Sequence, residues 1–159
     1  MLLLVLMRHG EAAIAADDHE RPLTERGSRQ ALASAELLKG WGVLPSLIIS
    51  SDAQRAEATT RVVASALGEK PRVEASRMLY DGYTTQGLLD KVSSLADKSD
   101  DCVMVVAHNP DLTYKLRSLC RDACRAAFPT AGVAVLCFDA DSWSDVEAST
   151  ASVLFSSFF

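Results

Sequence analysis

The chain has 159 residues, of which 48% are apolar and 23% charged, and its formal net charge is −5. That length fits one domain, residues 1–159, burying roughly 68–70% of the surface its unfolded chain exposes, and the composition excludes a disordered segment. The negative balance excludes nucleic acid and anionic membrane as partners on electrostatic grounds, because both require a basic face.

In chain order, Met1 to Met7 is a continuous apolar run of strand length, the pattern of a strand covered on both faces in a parallel sheet. It lacks the basic leading region of a signal peptide, and Arg8 interrupts it. No stretch reaches the about 18 apolar residues of a membrane span, so the expected location is the cytoplasm. A polar loop through Asp17, Asp18 and Pro22 follows, in which His19 reads as solvated. Thr24 then caps a helix with Ala31, Ala35 and Leu38 on one face, closed by Gly40 and Gly42.

Ser46 to Ser50 reads as a second strand. The helix after it carries Ala56, Thr60, Val63 and Leu67 on one face and ends at Gly68. Arg72 to Ala75 is a short third strand, Asp81-Gly82 a turn, and Leu88, Leu89, Val92 and Leu95 mark another helix. Cys102 to Ala107 is a strongly apolar strand, with Asn109 and Pro110 as N-cap and first-turn proline of a helix bearing Leu112, Leu116 and Leu119. Val133 to Phe138 and Val146 to Phe155 are strands joined by a turn around Asp139 to Asp145, before the aromatic tail Phe155, Phe158, Phe159, an interaction patch or a frayed end. This alternation predicts an α/β three-layer sandwich whose mostly parallel sheet is flanked by helices and has an antiparallel edge near the C-terminus.

Cys102, Cys120, Cys124 and Cys137 have no C-x-x-C spacing, so a structural zinc site is not expected. Cys120 and Cys124 would share a helix face and read as free thiols. No cofactor is expected either.

In open α/β sheets the ligand crevice lies beyond the carboxyl ends of the strands. Arg8-His9-Gly10-Glu11 follows the first strand, Arg55 opens the helix after the second, and His108-Asn109-Pro110 follows the Cys102 to Ala107 strand. Two arginines and two histidines can therefore meet in one cleft. Guanidinium forks match phosphate bidentately, and a neutral imidazole, with a reference pKa of about 6.5, can attack phosphorus and hold the phosphoryl group covalently. Gly10 would let backbone and ligand approach closely. Neither His9 nor His108 has carboxylate or thiolate company at metal-ligand spacing, so the mechanism is expected to be metal-free.

These residues resemble the histidine phosphatase superfamily, which includes the phosphoglycerate mutases. Arg8-His9-Gly10-Glu11 is similar to its R-H-G signature, Pro22-Leu23-Thr24-Glu25-Arg26-Gly27 to its L-T-x-x-G helix start, Ser50 to Ala56 to its second arginine segment, and Val106-Ala107-His108-Asn109 to its second histidine. The resemblance covers nearly the whole chain. The short length and the Arg21-Pro22-Leu23-Thr24 wording are similar to the SixA-type branch, whose members remove phosphate from phosphohistidine on proteins. It implies a phosphoglycerate mutase-like fold, His9 as nucleophile, Arg8 and Arg55 as phosphate clamps, His108 as a further phosphate contact, Arg21 reaching the incoming phosphate, and a phosphorylated protein domain as substrate partner. Nothing in the sequence fixes the oligomeric state.

Where larger members of the superfamily carry an acidic glutamate, this chain has Leu79-Tyr80-Asp81, and Asp81 is either the acid or part of the turn. Glu11 could accept hydrogen bonds from the clamp arginines, but a carboxylate there repels the dianionic phosphate unless they neutralise it, and its role stays open. An alkoxide leaves poorly without a proton donor, whereas an imidazole titrating near neutrality needs less help. Three readings follow: a phosphohistidine phosphatase, a phosphatase of small phosphate esters using Asp81, or a phosphate-binding module without turnover.

Overall fold

The computed structural model describes residues 1–68, 70–121 and 126–158. Its strands are β1 (Leu2–Arg8), β2 (Leu47–Ser51), β3 (Arg72–Ser76), β4 (Cys102–Ala107), β5 (Val133–Phe138) and β6 (Ser152–Ser156). The helices are α1 (Glu25–Gly40), α2 (Gln54–Leu67), α3 (Met78–Asp81), α4 (Thr85–Leu95) and α5 (Asp111–Leu119), with 3-10 turns at Asp18–Glu20 and Trp143–Asp145.

The six strands form one sheet in the order β3-β2-β4-β1-β5-β6. β3, β2, β4 and β1 are mutually parallel, while β5 runs antiparallel to β1 and β6 antiparallel to β5. This is the phosphoglycerate mutase-like α/β architecture, with helices on both faces of a mostly parallel sheet and an antiparallel edge.

Alternation along β1 divides the core. Leu2, Leu4 and Leu6 pack with Leu88, Leu89 and Val92 of α4 and Leu112, Leu116 and Leu119 of α5. Val5 and Met7 pack with Ala31, Ala35 and Leu38 of α1 and Ala56, Val63 and Leu67 of α2. Burial on both faces is why β1 reads as an unbroken apolar run rather than an alternating one.

Local chemistry fixes the helix ends. The Thr24 hydroxyl accepts from the Gly27 amide at 2.9 Å, satisfying one of the free donors at the start of α1. Gly68, at φ +77°, closes α2 in the left-handed region that a side chain would disfavour.

The register sets the functional end of the sheet. Arg8 lies beside Ala107 across the β1–β4 pair, Ser50 lies beside Val106 across β2–β4, and the His9 amide continues the ladder to the Ala107 carbonyl at 3.1 Å. Residues 8, 9, 51 and 108 thus leave three neighbouring strands at one level.

The structure departs from the sequence expectations at several points. The last strand begins at Ser152 rather than Val146, because Trp143–Asp145 is a 3-10 turn and Ser149 takes φ +63°, incompatible with a continuing strand. Met78–Asp81 adds a short helix ahead of the Gly82 turn. Asn109 does not cap α5: its side chain donates to the Phe128 carbonyl and accepts from the Thr113 hydroxyl, and Pro110 occupies the cap position. Cys120 lies just past the end of α5 in extended conformation, and Cys124, its expected face-mate, falls outside the described residues. The aromatic tail is partly packed, Phe155 stacking on Trp41 at 5.0 Å and Phe158 meeting Phe128 at a tilt at 4.7 Å, with Phe159 outside the described residues.

The loop after β1 touches the first turn of α1 backbone to backbone. A Cβ at Gly10 would stand 2.5 Å from the Gly27 carbonyl oxygen, and one at Gly27 would collide with the Glu11 carbonyl oxygen. Neither backbone segment can yield by a rotamer change. Gly27→Ala is therefore expected to destabilise the fold by about 3 kcal/mol or more, read as a lower midpoint in urea unfolding, whereas Gly40→Ala, where a Cβ meets nothing within 4 Å, serves as the mild control.

Candidate active site

The side chains of Arg8, His9, Arg55 and His108 converge beyond the carboxyl ends of β1, β2 and β4. Arg8 ends β1, His9 follows it, Arg55 stands in the first turn of α2, and His108 follows β4. The His9 and His108 rings lie 5.1 Å apart, and Arg55, only 5% exposed, donates from Nε to His9 Nε2 at 3.2 Å.

The tautomer of His9 follows from its neighbours. Nδ1 lies 2.7 Å from the Gly10 carbonyl oxygen, which can only accept, so Nδ1 carries the proton. Nε2 then keeps its lone pair, the state in which it accepts from Arg55. Burial, together with the charges of Arg55, Arg8 and Arg21, lowers the His9 pKa to about 4 against the opposing pull of the Gly10 carbonyl. At neutral pH the ring is a neutral nucleophile.

His108 is held in a related way. Its Nε2 lies 2.7 Å from Ser51 Oγ, which also accepts from the Ala53 amide. Burial first, then the proximity of His9 and Arg55, lowers the His108 pKa to about 3. His108 Nδ1 and Arg8 Nε are buried and make no hydrogen bond with the described residues. Arg8 is anchored instead through Nη1, which donates to the Phe128 carbonyl at 2.9 Å. The Arg8 Nε–H donor and the Nδ1 position of His108 are thus without a partner among the described residues.

Asp18, read from sequence only as loop, belongs to this cluster. Arg55 Nη1 donates to its carbonyl at 2.6 Å and Arg55 Nη2 to its carboxylate at 3.1 Å. Arg21 Nη1 and the Tyr80 hydroxyl donate to the same carboxylate at 3.2 and 3.0 Å. Partial desolvation works against ionisation, but the hydrogen bonds from Tyr80, Arg21 and Arg55 outweigh it and hold the carboxyl at about 2. Arg21 itself is tied back by Nε to the Ala13 carbonyl, so it meets the clamp through Asp18.

Other expected participants are engaged elsewhere. Glu11 accepts from Thr24 and Arg26, not from the clamp arginines, and the exposed Asp81 accepts from Arg77 at 3.1 Å. His19 is not merely solvated: it lies 2.8 Å from Asp52 and edge-on to Tyr80 at 4.7 Å. Gly10 has a packing reason rather than a ligand-clearance reason, since the space a Cβ would take is filled by Gly27, and its amide donates to Thr59 Oγ1 at 3.0 Å. Among the described residues no group of three or more His, Cys, Asp or Glu side chains could hold a metal ion, and no helix is long and apolar enough to cross a membrane.

Residues 4–79 match the model of the histidine phosphatase superfamily (branch 1). The chain is 33% identical over 163 residues to the uncharacterized protein MT1313 of Mycobacterium tuberculosis, with 93% of this chain and 96% of that protein covered. The chain belongs to the histidine phosphatase superfamily. Within it the solved neighbours indicate the SixA-type branch. The protein histidine phosphatase SixA complexed with tungstate superposes with a TM-score of 0.82 at 27% identity, covering 98% of this chain and 96% of that one. A chain assigned as a phosphohistidine phosphatase SixA from Nakamurella multipartitia gives 0.82 at 28%, covering 98% and 94%. The match to an uncharacterized chloroplastic protein of Arabidopsis thaliana spans about half of that protein's length, 53%.

In this member of the superfamily, sequence reasoning missed Asp18, Tyr80 and Ser51. Ser51 and Tyr80 both stand inside motif-bearing segments, beside Arg55 and Asp81, and that placement is the signal that could have found them. Asp18 carried no signal beyond its nearness to Arg21. The His9 ring is expected to titrate with a midpoint near 4 in a proton–carbon NMR pH series, against about 6.5 for a free imidazole. Arg55→Ala, which removes a cationic neighbour, should move that midpoint upward.

Proposed function

We propose that this chain is a phosphatase that dephosphorylates phosphohistidine on a protein domain through a covalent phosphoryl intermediate on His9. The observation that carries the reading is the pairing of an unprotonated Nε2 on a buried, neutral imidazole with the guanidinium of Arg55 at 3.2 Å. In the resting site the Arg55 Nε–H occupies the Nε2 lone pair, and it passes to a phosphoryl oxygen as the substrate arrives, which frees the nucleophile and sets the cation beside the transferring group.

In this reading the phosphoryl oxygens are received by Arg55, Arg8 Nε and His108 Nδ1, the donors at the nucleophile. The lone pair of His9 Nε2 forms the new P–N bond as the bond to the leaving group breaks. The transferring group is loose and its oxygens carry the charge, so the protein's work is positioning and charge neutralisation. His9 then carries a proton on Nδ1 and phosphorus on Nε2, with Gly10 accepting from the cationic ring. Water attacks phosphorus, the P–N pair returns to Nε2, and both water protons leave with the phosphate.

Support for a phosphoramidate over an ester comes from the acids. The nearby carboxylates are each committed to other partners: Asp18 is held ionised, Glu11 is bound by Thr24 and Arg26, Asp52 lies against His19 and Arg77, and Asp81 is paired with Arg77. A departing alkoxide would find no ready proton. The likeness to SixA structures at 27–28% identity points the same way.

The test is a histidine-phosphorylated phosphotransfer domain, prepared chemically with phosphoramidate, assayed beside a sugar phosphate. Wild type is expected to turn over the former faster, and His9→Ala to lose at least about 1,000-fold of that activity. A faster ester would exclude the substrate assignment, and undiminished activity in His9→Ala would exclude the intermediate. Arg55→Ala is expected to lower kcat by about 100-fold in the same assay.

A further inference from the structure

We infer that Asp18 determines specificity for an imidazole leaving group by accepting the N–H on the far side of the substrate ring. This role rests on the reading of the chain as a phosphohistidine phosphatase and deepens it.

Position comes first. One guanidinium joins the two groups: Arg55 faces His9 Nε2 with Nε and holds Asp18 with both Nη atoms. The carboxylate therefore lies one guanidinium's width from the attacking nitrogen. The Arg55 side chain is 6% exposed and that of Asp18 55%, so Asp18 stands on the side from which a protein-borne ligand arrives.

Valence comes second. An ionised carboxylate has about four acceptor positions. Arg55 and Tyr80 use two on Oδ2, and Arg21 uses one on Oδ1. One position on Oδ1 is left for an outside donor. The surrounding hydrogen bonds keep the group ionised at neutral pH, so it serves as an acceptor and not as an acid.

The chemistry of transfer between two imidazoles needs such an acceptor. Phosphohistidine leaves most readily when its other ring nitrogen is protonated, because the P–N electron pair then returns to a ring that departs neutral. His9 already has the matching arrangement, with its distal N–H held by the Gly10 carbonyl at 2.7 Å. With Asp18 holding the distal N–H of the substrate, donor and acceptor rings are equivalent. The P–N bond to His9 forms, the P–N bond to the substrate breaks, its pair goes to the substrate nitrogen, and neither distal proton has to move. An ester has no ring proton for Asp18 to hold, so the carboxylate gives its alkoxide nothing.

The experiment compares Asp18→Asn and Asp18→Glu with wild type on two probes, the histidine-phosphorylated phosphotransfer domain and p-nitrophenyl phosphate, whose phenolate leaves without a proton. The readout is the ratio of the two kcat values from one preparation, which cancels any loss of folded protein. Asp18→Asn is expected to lower the ratio at least about tenfold, since a neutral amide oxygen is a much weaker acceptor for a cationic ring than a carboxylate, and Asp18→Glu to recover part of it. Equal loss on both probes, or a ratio that rises in Asp18→Asn, would overturn the role and leave Asp18 as a support for Arg55. A wild-type enzyme inactive on the phosphohistidine domain overturns the substrate assignment itself.

Discussion

Arg55 is a permanently charged group in a nearly closed place, and the site is organised around keeping it there. A buried cation is costly unless its donors are matched. Here three of the five guanidinium N–H groups are matched, Nε toward His9 and one on each Nη toward the carbonyl and carboxylate of Asp18. Because the charge is held next to His9, it helps suppress protonation of that ring, and the lone pair needed for attack survives at neutral pH. Electrostatics that raise the cost of an imidazolium also leave the site ready for an anion.

The sheet makes this arrangement possible by order rather than by strand length. Placing β4 between β2 and β1 brings together chain ends that are dozens of residues apart, and parallel pairing leaves them facing the same way. Apolar packing on both faces of β1 fixes the register, because a slip of one residue would turn Leu4 and Leu6 toward the α1 and α2 side. Catalytic geometry is in this sense a by-product of core packing.

Much of this was legible in the sequence. The unbroken apolar runs at residues 2–7 and 102–107 revealed central strands, Thr24 and Gly68 marked helix ends, and Arg8, His9, Arg55 and His108 stood at strand ends where crevices form. What stayed hidden depended on partners distant along the chain. Asp18 looked like any loop aspartate until Arg55 and Tyr80 met it across 37 and 62 residues. Ser51 gave no sign that it would meet the His108 ring across 57 residues. Val146 to Thr150 read as strand because composition does not reveal the positive φ of Ser149.

The contact between Gly10 and Gly27 gives the two signature segments a shared meaning. Arg8-His9-Gly10 and Leu23-Thr24-Glu25-Arg26-Gly27 are the two sides of one backbone-on-backbone seam, sealed further by the Thr24 amide donating to the Glu11 carbonyl at 2.9 Å. For anyone redesigning this loop the unit of choice is therefore the pair. A library that varies either glycine alone would select chiefly for displaced backbones, and new side chains belong on the outward positions between them.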